Sequence, residues 1–242
     1  MRAQILLAGW LTLGVAAQAG GVALTDPGVS RDLARERSRL ISDLSYLVEL
    51  AVPGAADEPI QGRERIECQW RGQHEAMILD FHASPGSVLA LRVNGREVAP
   101  TMVNDHLVIP AEFLSPGRVE VELAFVAGDG PLNRNPEFLY SLFVPDRARF
   151  AFPCFDQPDL RARFQLTLEI PAGWEAVANA PEQDRSVTGG RTRIAFEETV
   201  PLPTYLFAFA AGKFSVESGS YDGRSMRIFH RETDAGKMSR NR

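Results

Sequence analysis

The chain has 242 residues and a formal net charge of −5, with 45% hydrophobic and 24% charged residues. These values are ordinary for a soluble globular protein and exclude disorder as the main state of the chain. Because the acidic residues are scattered and no basic stripe occurs, nucleic acid is not expected as a partner. The length fits one large domain or two small ones.

Residues 1–19 have the pattern of an export signal. Arg2 is followed by an apolar run from Ile5 to Ala17, and Ala17-Gln18-Ala19 fits the small-x-small cleavage pattern. The run is shorter than the ~20 apolar residues that cross a bilayer, so no stable membrane span is expected, although an uncleaved anchor stays open. The sequence therefore predicts an exported protein, periplasmic or secreted, whose mature chain begins at Gly20.

Residues 20–41 are predicted to form a lead segment with a short helix. Leu33, Leu40, Ile41 and Leu44 fall on one face of a helix that begins after Ser30 and runs as far as Leu44. Ser30 is a residue type that caps helix N-termini.

From Leu44 onward, apolar and polar residues alternate, which is the pattern of strands with one solvated side. Asn94-Gly95 and Gly189-Gly190 predict tight hairpin turns. The predicted strands lie at 44–52, 66–70, 77–81, 89–93, 119–125, 160–170, on both sides of 189–190, at 205–211 as a central strand, and at 226–230. Many short strands separated by turns predict a mainly β fold, either a sandwich or a large twisted antiparallel sheet.

No catalytic residue and no metal ligand is predicted. A helical zinc-peptidase motif needs two histidines four residues apart with a glutamate beside the first, but His74-Glu75 is followed by Ile78. Neither Cys-x-x-Cys nor Gly-x-Ser-x-Gly occurs. Cys68 and Cys154 would be free to pair in an exported protein, yet the alternation around Cys68 directs its side chain into a core, so pairing stays open.

The segment from Phe143 to Asp159 combines aromatic residues, three prolines and several charges. Proline fixes the backbone and removes a hydrogen-bond donor, and Asp156 is suited to accept hydrogen bonds from free backbone N–H groups. The segment is predicted to be a rigid, buried corner. A second interpretation makes it the wall of a neighbouring site.

The stretch 149–164 of this segment resembles the signature of the N-terminal domain of aminopeptidase N-type zinc metallopeptidases. The stretch 200–209 with Gly212-Lys-Phe214 resembles the closing strands of the same domain. The motif residues are Arg149, Phe152, Pro153, Cys154, Phe155, Asp156 and Pro158. The resemblance implies a saddle-shaped antiparallel β domain over residues 42–231.

In that family the β domain precedes a thermolysin-like domain that holds zinc through His-Glu-x-x-His and also carries Gly-x-Met-Glu-Asn, both absent here. Residues 232–242, with a helix start at Thr233-Asp234, are then expected to open this missing catalytic domain. Zinc is expected only there, and this chain is expected to be non-catalytic by itself. The expected partners are that domain, or a second copy through an exposed apolar face, with peptides as ligands of the full-length protein.

One position departs from the family pattern. The family commonly has a Glu or Gln that binds the free amine of the substrate, and here that position is Val144. An apolar side chain cannot neutralise an ammonium group. Two other interpretations stay open, namely a stand-alone secreted β module that binds peptides or proteins, and a secreted sandwich whose similarity is due to chance.

Overall fold

A computed structural model of the chain describes residues 24–233 and Lys237. The predicted export signal and most of residues 232–242 lie outside the described residues. Helix α1 spans Arg31–Leu40, and 3₁₀ turns lie at Ala111–Phe113, Ala148–Phe150 and Thr204–Leu206. The strands are β1 (Ile41–Ala51), β2 (Gln61–Trp70), β3 (Met77–Asp80), β4 (Val88–Val93), β5 (Arg96–Glu97), β6 (Met102–Val103), β7 (His106–Ile109), β8 (Gly117–Val126), β9 (Leu132–Arg134), β10 (Phe138–Ser141), β11 (Ala162–Pro171), β12 (Glu175–Ala178), β13 (Glu182–Thr188), β14 (Arg191–Phe196), β15 (Phe209–Gly212), β16 (Ser215–Tyr221) and β17 (Arg224–His230).

Helix α1 begins where the sequence predicts and ends earlier. The Ser30 hydroxyl accepts a hydrogen bond from the Leu33 amide at 3.1 Å, as expected of an N-cap. The predicted extension to Leu44 was wrong, because Ile41 is already extended and pairs with Trp70. A bulge between Ser42 and Ser45 lets Ile41 and Leu44 both face the core, which imitates helical spacing in the sequence.

An eight-stranded sheet dominates the fold, with the strand order β13-β14-β11-β1-β2-β8-β4-β5. The predicted mainly β fold is confirmed. Every pair in the sheet is antiparallel except β1 with β11, which run parallel from Leu44 opposite Ala162, so the sheet is mixed. Asn94 and Gly95 both have positive φ values, 51° and 76°, in the β4–β5 turn, as the predicted hairpin requires.

Three small sheets complete the fold, with the orders β12-β15-β10-β9, β3-β7-β6 and β16-β17. The single central strand predicted at 205–211 was wrong in its first half, which is a 3₁₀ turn, whereas β15 is central in its sheet. The Asn179 side chain satisfies backbone groups at this break in the strand. Its side chain accepts from the Ala208 amide at 2.6 Å and donates to the Leu206 carbonyl at 3.1 Å, so these groups need no strand partner.

The core lies between the inner face of the large sheet and the segment 143–159. Its centre is an aromatic stack in which the Phe164 ring lies 4.8 Å from Tyr46 and 4.5 Å from Phe207. Phe143 and Phe152 pack against the same stack edge-on or offset. Cys68 and Cys154 are both buried here as free thiols and are not joined.

The outer face of the large sheet is covered by cross-strand ion pairs, which is the expected composition of a solvated face. Arg65 on β2 contacts Glu120 and Glu122 on β8, and Arg118 contacts Glu67. Such exposed pairs each contribute about 0–1 kcal/mol. They maintain strand register more than they stabilise the fold.

Glu64 departs from this division of polar and apolar faces. It lies on β2 between Val48 and Leu123, faces the core, and is almost fully buried. Neither carboxyl oxygen has a hydrogen-bond partner among residues 24–233. Burial without a compensating charge raises the pKa of Glu64 well above its ordinary value, so the folded protein holds it as a neutral acid.

This placement predicts that Glu64→Gln stabilises the domain increasingly as pH rises. In the unfolded chain the carboxyl ionises near its ordinary pKa of 4.5, so the folded state loses stability above that pH, by at most about 1.4 kcal/mol per pH unit. Urea unfolding of both proteins across neutral pH measures the difference. The control is Glu67→Gln, on the outer face of the same strand. If the change in stability caused by Glu64→Gln does not vary with pH, the Glu64 carboxyl is not held neutral in the folded protein.

Candidate functional site

The segment between β10 and β11, residues 142–161, forms a corner that closes one end of the core. Within it, every side chain from Ala151 to Gln157 is buried, including Phe152, Pro153, Cys154, Phe155 and Asp156, whereas Pro158 is exposed. Arg149 is partly exposed, contacts Asp146 at 3.1 Å and lies over the Phe150 ring. The motif residues named from the sequence therefore form one continuous piece of structure.

Backbone hydrogen bonds hold the corner to the β3-β7-β6 sheet. The Asp80 amide donates to the Cys154 carbonyl at 2.7 Å, and the Cys154 amide donates back to the Asp80 carbonyl at 3.0 Å. The His82 amide donates to the Arg149 carbonyl at 2.9 Å. The Phe155 amide donates to the Tyr46 hydroxyl at 3.0 Å. The corner is thus pinned on one side to β3 and on the other to β1.

Asp156 joins the two sequence signatures. Its carboxylate accepts a hydrogen bond from the Arg149 amide at 3.1 Å and from the Thr204 hydroxyl at 2.9 Å. Burial raises the pKa of Asp156 against the opposing effect of these two donors. Thr204 belongs to the later signature, 200–209, so one carboxyl group fixes the distance between stretches that are about fifty residues apart.

A buried ion pair lies behind the corner. Arg37 on α1 donates to both carboxylate oxygens of Asp80, at 2.8 and 2.7 Å, and also to the Ile78 carbonyl at 2.8 Å. The Asp156 amide donates to the same carboxylate at 2.8 Å. Burial acts to raise the pKa of Asp80, but the Arg37 charge, the adjacent His106 ring and the hydrogen bonds from Arg37 and the Asp156 amide outweigh it and lower the pKa to about 2.

Sequence reasoning missed this pair, although both residues carried a signal. Arg37 lies four residues after Leu33 and three before Leu40, which places a charge on the apolar face of α1. Asp80 ends the otherwise apolar strand Met77–Asp80, all of which is buried. A charged residue on an apolar face needs a partner of opposite sign, and these two charges supply each other.

The thiol within the corner is not activated. Burial raises the pKa of the Cys154 thiol well above its ordinary value, so it is held protonated and not as a nucleophilic thiolate. Among residues 24–233, no group of three or more His, Cys, Asp or Glu side chains is placed to hold a metal ion. Glu75, beside His74, instead accepts hydrogen bonds from the His74 and Gln73 amides and pairs with Arg39.

Three apolar side chains project from the surface where β10 leads into the corner. Tyr140, Leu142 and Val144 occupy alternate positions and are 43%, 47% and 50% exposed. We refer to them as the 140–144 surface. The structure therefore places Val144, the position predicted to replace the amine-binding residue, at the surface and in line with two other apolar groups.

Comparison with known proteins locates this region in a family. The family described as Peptidase M1 N-terminal domain matches residues 132–206, which contain β10, the corner, β11 and Thr204. Aminopeptidase M1-A of Oryza sativa is 37% identical over 101 residues, which are 41% of this chain and 11% of the relative. Probable M1 family aminopeptidase 1 of Encephalitozoon cuniculi is 41% identical over 98 residues, 39% of this chain and 11% of that protein.

Residues 132–206 belong to the N-terminal domain of the M1 peptidase family. The interpretation of a chance similarity is thereby wrong. The fold agrees with this family, because the crystal structure of an M1 zinc metallopeptidase from Deinococcus radiodurans superposes with a TM-score of 0.60 over 75% of this chain and 45% of that chain, at 21% identity. The segment matched by the sequence relatives spans about a tenth of their length.

The region that matches the M1 family and the buried ion pair are separate in sequence. Residues 132–206 contain Asp156 and Thr204, while Arg37 and Asp80 precede them. The Asp80 carboxylate accepts a hydrogen bond from the Asp156 amide of the matched region, and the Asp80 backbone pairs with the Cys154 backbone. The early part of the chain therefore supports the corner that the family comparison detects.

We predict that Asp80→Asn destabilises the domain by about 3–5 kcal/mol, because it leaves the Arg37 guanidinium buried without its counter-charge. Since the pKa of Asp80 is lowered from 3.8 to about 2 in the folded state, the contribution of the pair is complete above pH 3.8 and is lost as pH falls towards 2.

Urea unfolding at neutral pH measures this loss. The control is Glu120→Gln, which removes one exposed partner of Arg65 and is expected to change stability by less than about 1 kcal/mol. Equal effects of the two substitutions would contradict the assigned role of the buried pair.

Proposed function

We propose that this domain is the non-catalytic N-terminal partner of a zinc-peptidase catalytic domain in an exported protein, and that peptide hydrolysis takes place in that second domain. The observation that carries the proposal is the M1 family match over residues 132–206. In support, the 242 residues contain neither His-Glu-x-x-His nor Gly-x-Met-Glu-Asn, so the zinc ligands would belong to the partner domain.

The 140–144 surface is the proposed contact with the catalytic domain. Scattered exposed apolar residues are common, but these three follow each other at alternate positions and end at the corner. Val144 stands where the family resemblance expects a Glu or Gln for the substrate amine. An apolar side chain offers no charge to an ammonium group, so the full-length protein would bind the amine through another residue or would prefer other substrates.

Export is proposed from the first nineteen residues. Arg2, the apolar run from Ile5 to Ala17 and the Ala17-Gln18-Ala19 site have the order of a secretory signal. No helix among the described residues is long and apolar enough to cross a bilayer. Periplasmic or secreted location follows from the signal alone and is part of the proposal.

The test of the proposed function has two arms. In the first arm, the source genome after codon 242 is searched for a segment that encodes His-Glu-x-x-His, in this frame or an adjacent one. That segment is then co-expressed with the chain. The complex is expected to hydrolyse an aminoacyl reporter in a chelator-sensitive way, while the chain alone with added zinc is expected to be inactive. No encoded motif, or chelator-sensitive hydrolysis by the chain alone, contradicts the proposal.

The second arm tests the proposed contact. Leu142→Arg and Val144→Arg should each weaken binding of the catalytic segment and reduce the binding of a hydrophobic dye by the isolated chain. Val187→Arg is the matched control, because Val187 is also an exposed apolar residue but lies on the edge strand β13. If the isolated chain is a monomer that binds no dye, or if all three variants behave alike, the 140–144 surface is not the contact.

The export signal predicts the N-terminus of the mature protein. Expressed with its own leader in a bacterial host, the chain should be recovered outside the cytoplasm, and N-terminal sequencing should begin at Gly20. Ala17→Gln with Ala19→Gln should block processing, because a bulky side chain does not fit the small-residue positions, whereas Gln18→Ala should be processed normally. Intact Met1 on a cytoplasmic product would overturn the assignment.

A further inference from the structure

Residues 24–30, which precede α1, are attached to the turn between β6 and β7 by two side chains. The Asn104 amide donates to the Thr25 carbonyl at 3.0 Å, and His106 Nε2 lies 2.9 Å from the Asp26 carbonyl oxygen. Asn104 and Asp105 both have positive φ values, 48° and 67°, which make the tight turn that presents these groups. We call this pair of contacts the N-terminal clasp.

The His106 ring is buried with an acceptor beside each nitrogen. Nδ1 lies 2.9 Å from Asp80 Oδ1, at ion-pair distance although not in line for a hydrogen bond, and Nε2 faces the Asp26 carbonyl. A neutral imidazole has a hydrogen on one nitrogen only, and neither a carboxylate nor a carbonyl can donate. A neutral ring therefore leaves a lone pair against an acceptor, whereas an imidazolium suits both neighbours.

The charges around the ring favour the imidazolium. Asp80 on β3 is the nearest anion and Arg37 on α1 the nearest cation, while the Asp105 carboxylate turns away to His82 at 2.7 Å. On the corner side, the Asp156 amide faces the other oxygen of Asp80. Burial acts to lower the pKa of His106, but Asp80 and the Asp26 carbonyl outweigh it and raise the pKa above 6.5.

We propose that His106 is a pH-dependent clasp that holds residues 24–30 against the domain while its ring is protonated and releases them when the ring loses a proton. The released contact is the one to the N-terminal segment, because a bare Nδ1 lone pair 2.9 Å from the charged Asp80 carboxylate would be repelled more strongly than a bare Nε2 lone pair facing the neutral Asp26 carbonyl, so the remaining hydrogen stays on Nδ1. Nε2 then faces the Asp26 carbonyl with a lone pair.

The direction of the pH dependence follows from the raised pKa of His106. The contribution of the clasp is complete below the ordinary value of 6.5 and is lost as pH rises through the higher value of the folded protein. Asn104 does not titrate in this range, so its bond to Thr25 persists. Deprotonation therefore loosens the segment and does not unfold the domain.

Native-state proteolysis of the full chain tests the proposal. Thermolysin cuts before apolar residues, and the Gly28–Val29 bond lies within the clasped segment. The cleavage rate, divided by that of a free peptide of the same sequence, should rise about fivefold between pH ~6 and pH ~9, which bracket the ordinary histidine pKa of about 6.5. Fivefold is the change that losing one hydrogen bond of ordinary strength produces.

Three variants separate the clasp from other effects. His106→Gln should remove the pH dependence, and His82→Gln, an exposed histidine that contacts Asp105, should leave it unchanged. Asn104→Ala should speed cleavage at every pH without altering the dependence. If His106→Gln does not fold, NMR titration of the wild-type ring decides. A His106 pKa below 6.5, a pH-independent cleavage rate, or a dependence that survives in His106→Gln overturns the proposal.

Discussion

The fold depends on one buried carboxylate, that of Asp80. It receives two hydrogen bonds from the Arg37 guanidinium and one from the Asp156 amide, and His106 lies beside it. Further hydrogen bonds join the same elements, since the Asp80 and Cys154 backbones pair and the Gln157 side chain donates to the Ala34 carbonyl of helix α1. A buried charge demands partners, because an unpaired one costs several kcal/mol, so these elements are confined to the one arrangement that supplies them.

A second carboxyl group, Asp156, extends this constraint into the region that identifies the family. It holds the Arg149 amide and the Thr204 hydroxyl together, and its own amide is held by Asp80. Charge pairing therefore fixes the backbone of the corner, and aromatic rings pack behind it. The 140–144 surface lies on its exposed side. This rigidity suits a domain whose proposed role is to present a fixed surface to a neighbour.

Strands β2, β8 and β11 were predictable from the sequence because each has one solvated face, which produces the alternation of apolar and polar residues. The helix end at Leu40 and the break before β15 were not predictable, because the bulge between Ser42 and Ser45 and the Asn179 side chain alter the period in ways that apolar spacing does not show. The parallel pairing of β1 with β11 was also beyond local pattern, since it joins strands more than a hundred residues apart.

The candidate site was found in part. The aromatic and proline-rich corner stood out in composition, and Asp156 was named as an acceptor of backbone hydrogen bonds. Arg37, Asp80 and His106 were missed, because each lies in a segment whose other residues have an ordinary pattern. Only the tertiary structure brings these three side chains together. The tertiary structure decides which charged side chains are buried next to each other, and a single sequence does not show this.

The most direct measurement is residue-resolved hydrogen exchange of the corner amides in Arg37→Met. If the Asp80 carboxylate links helix α1 to the corner, removing the guanidinium from the helix should lower the protection of the Asp156 and Cys154 amides more than that of amides in the centre of β2. Unchanged protection of the Asp156 and Cys154 amides, in a variant that still folds, would contradict the central role given to this carboxylate.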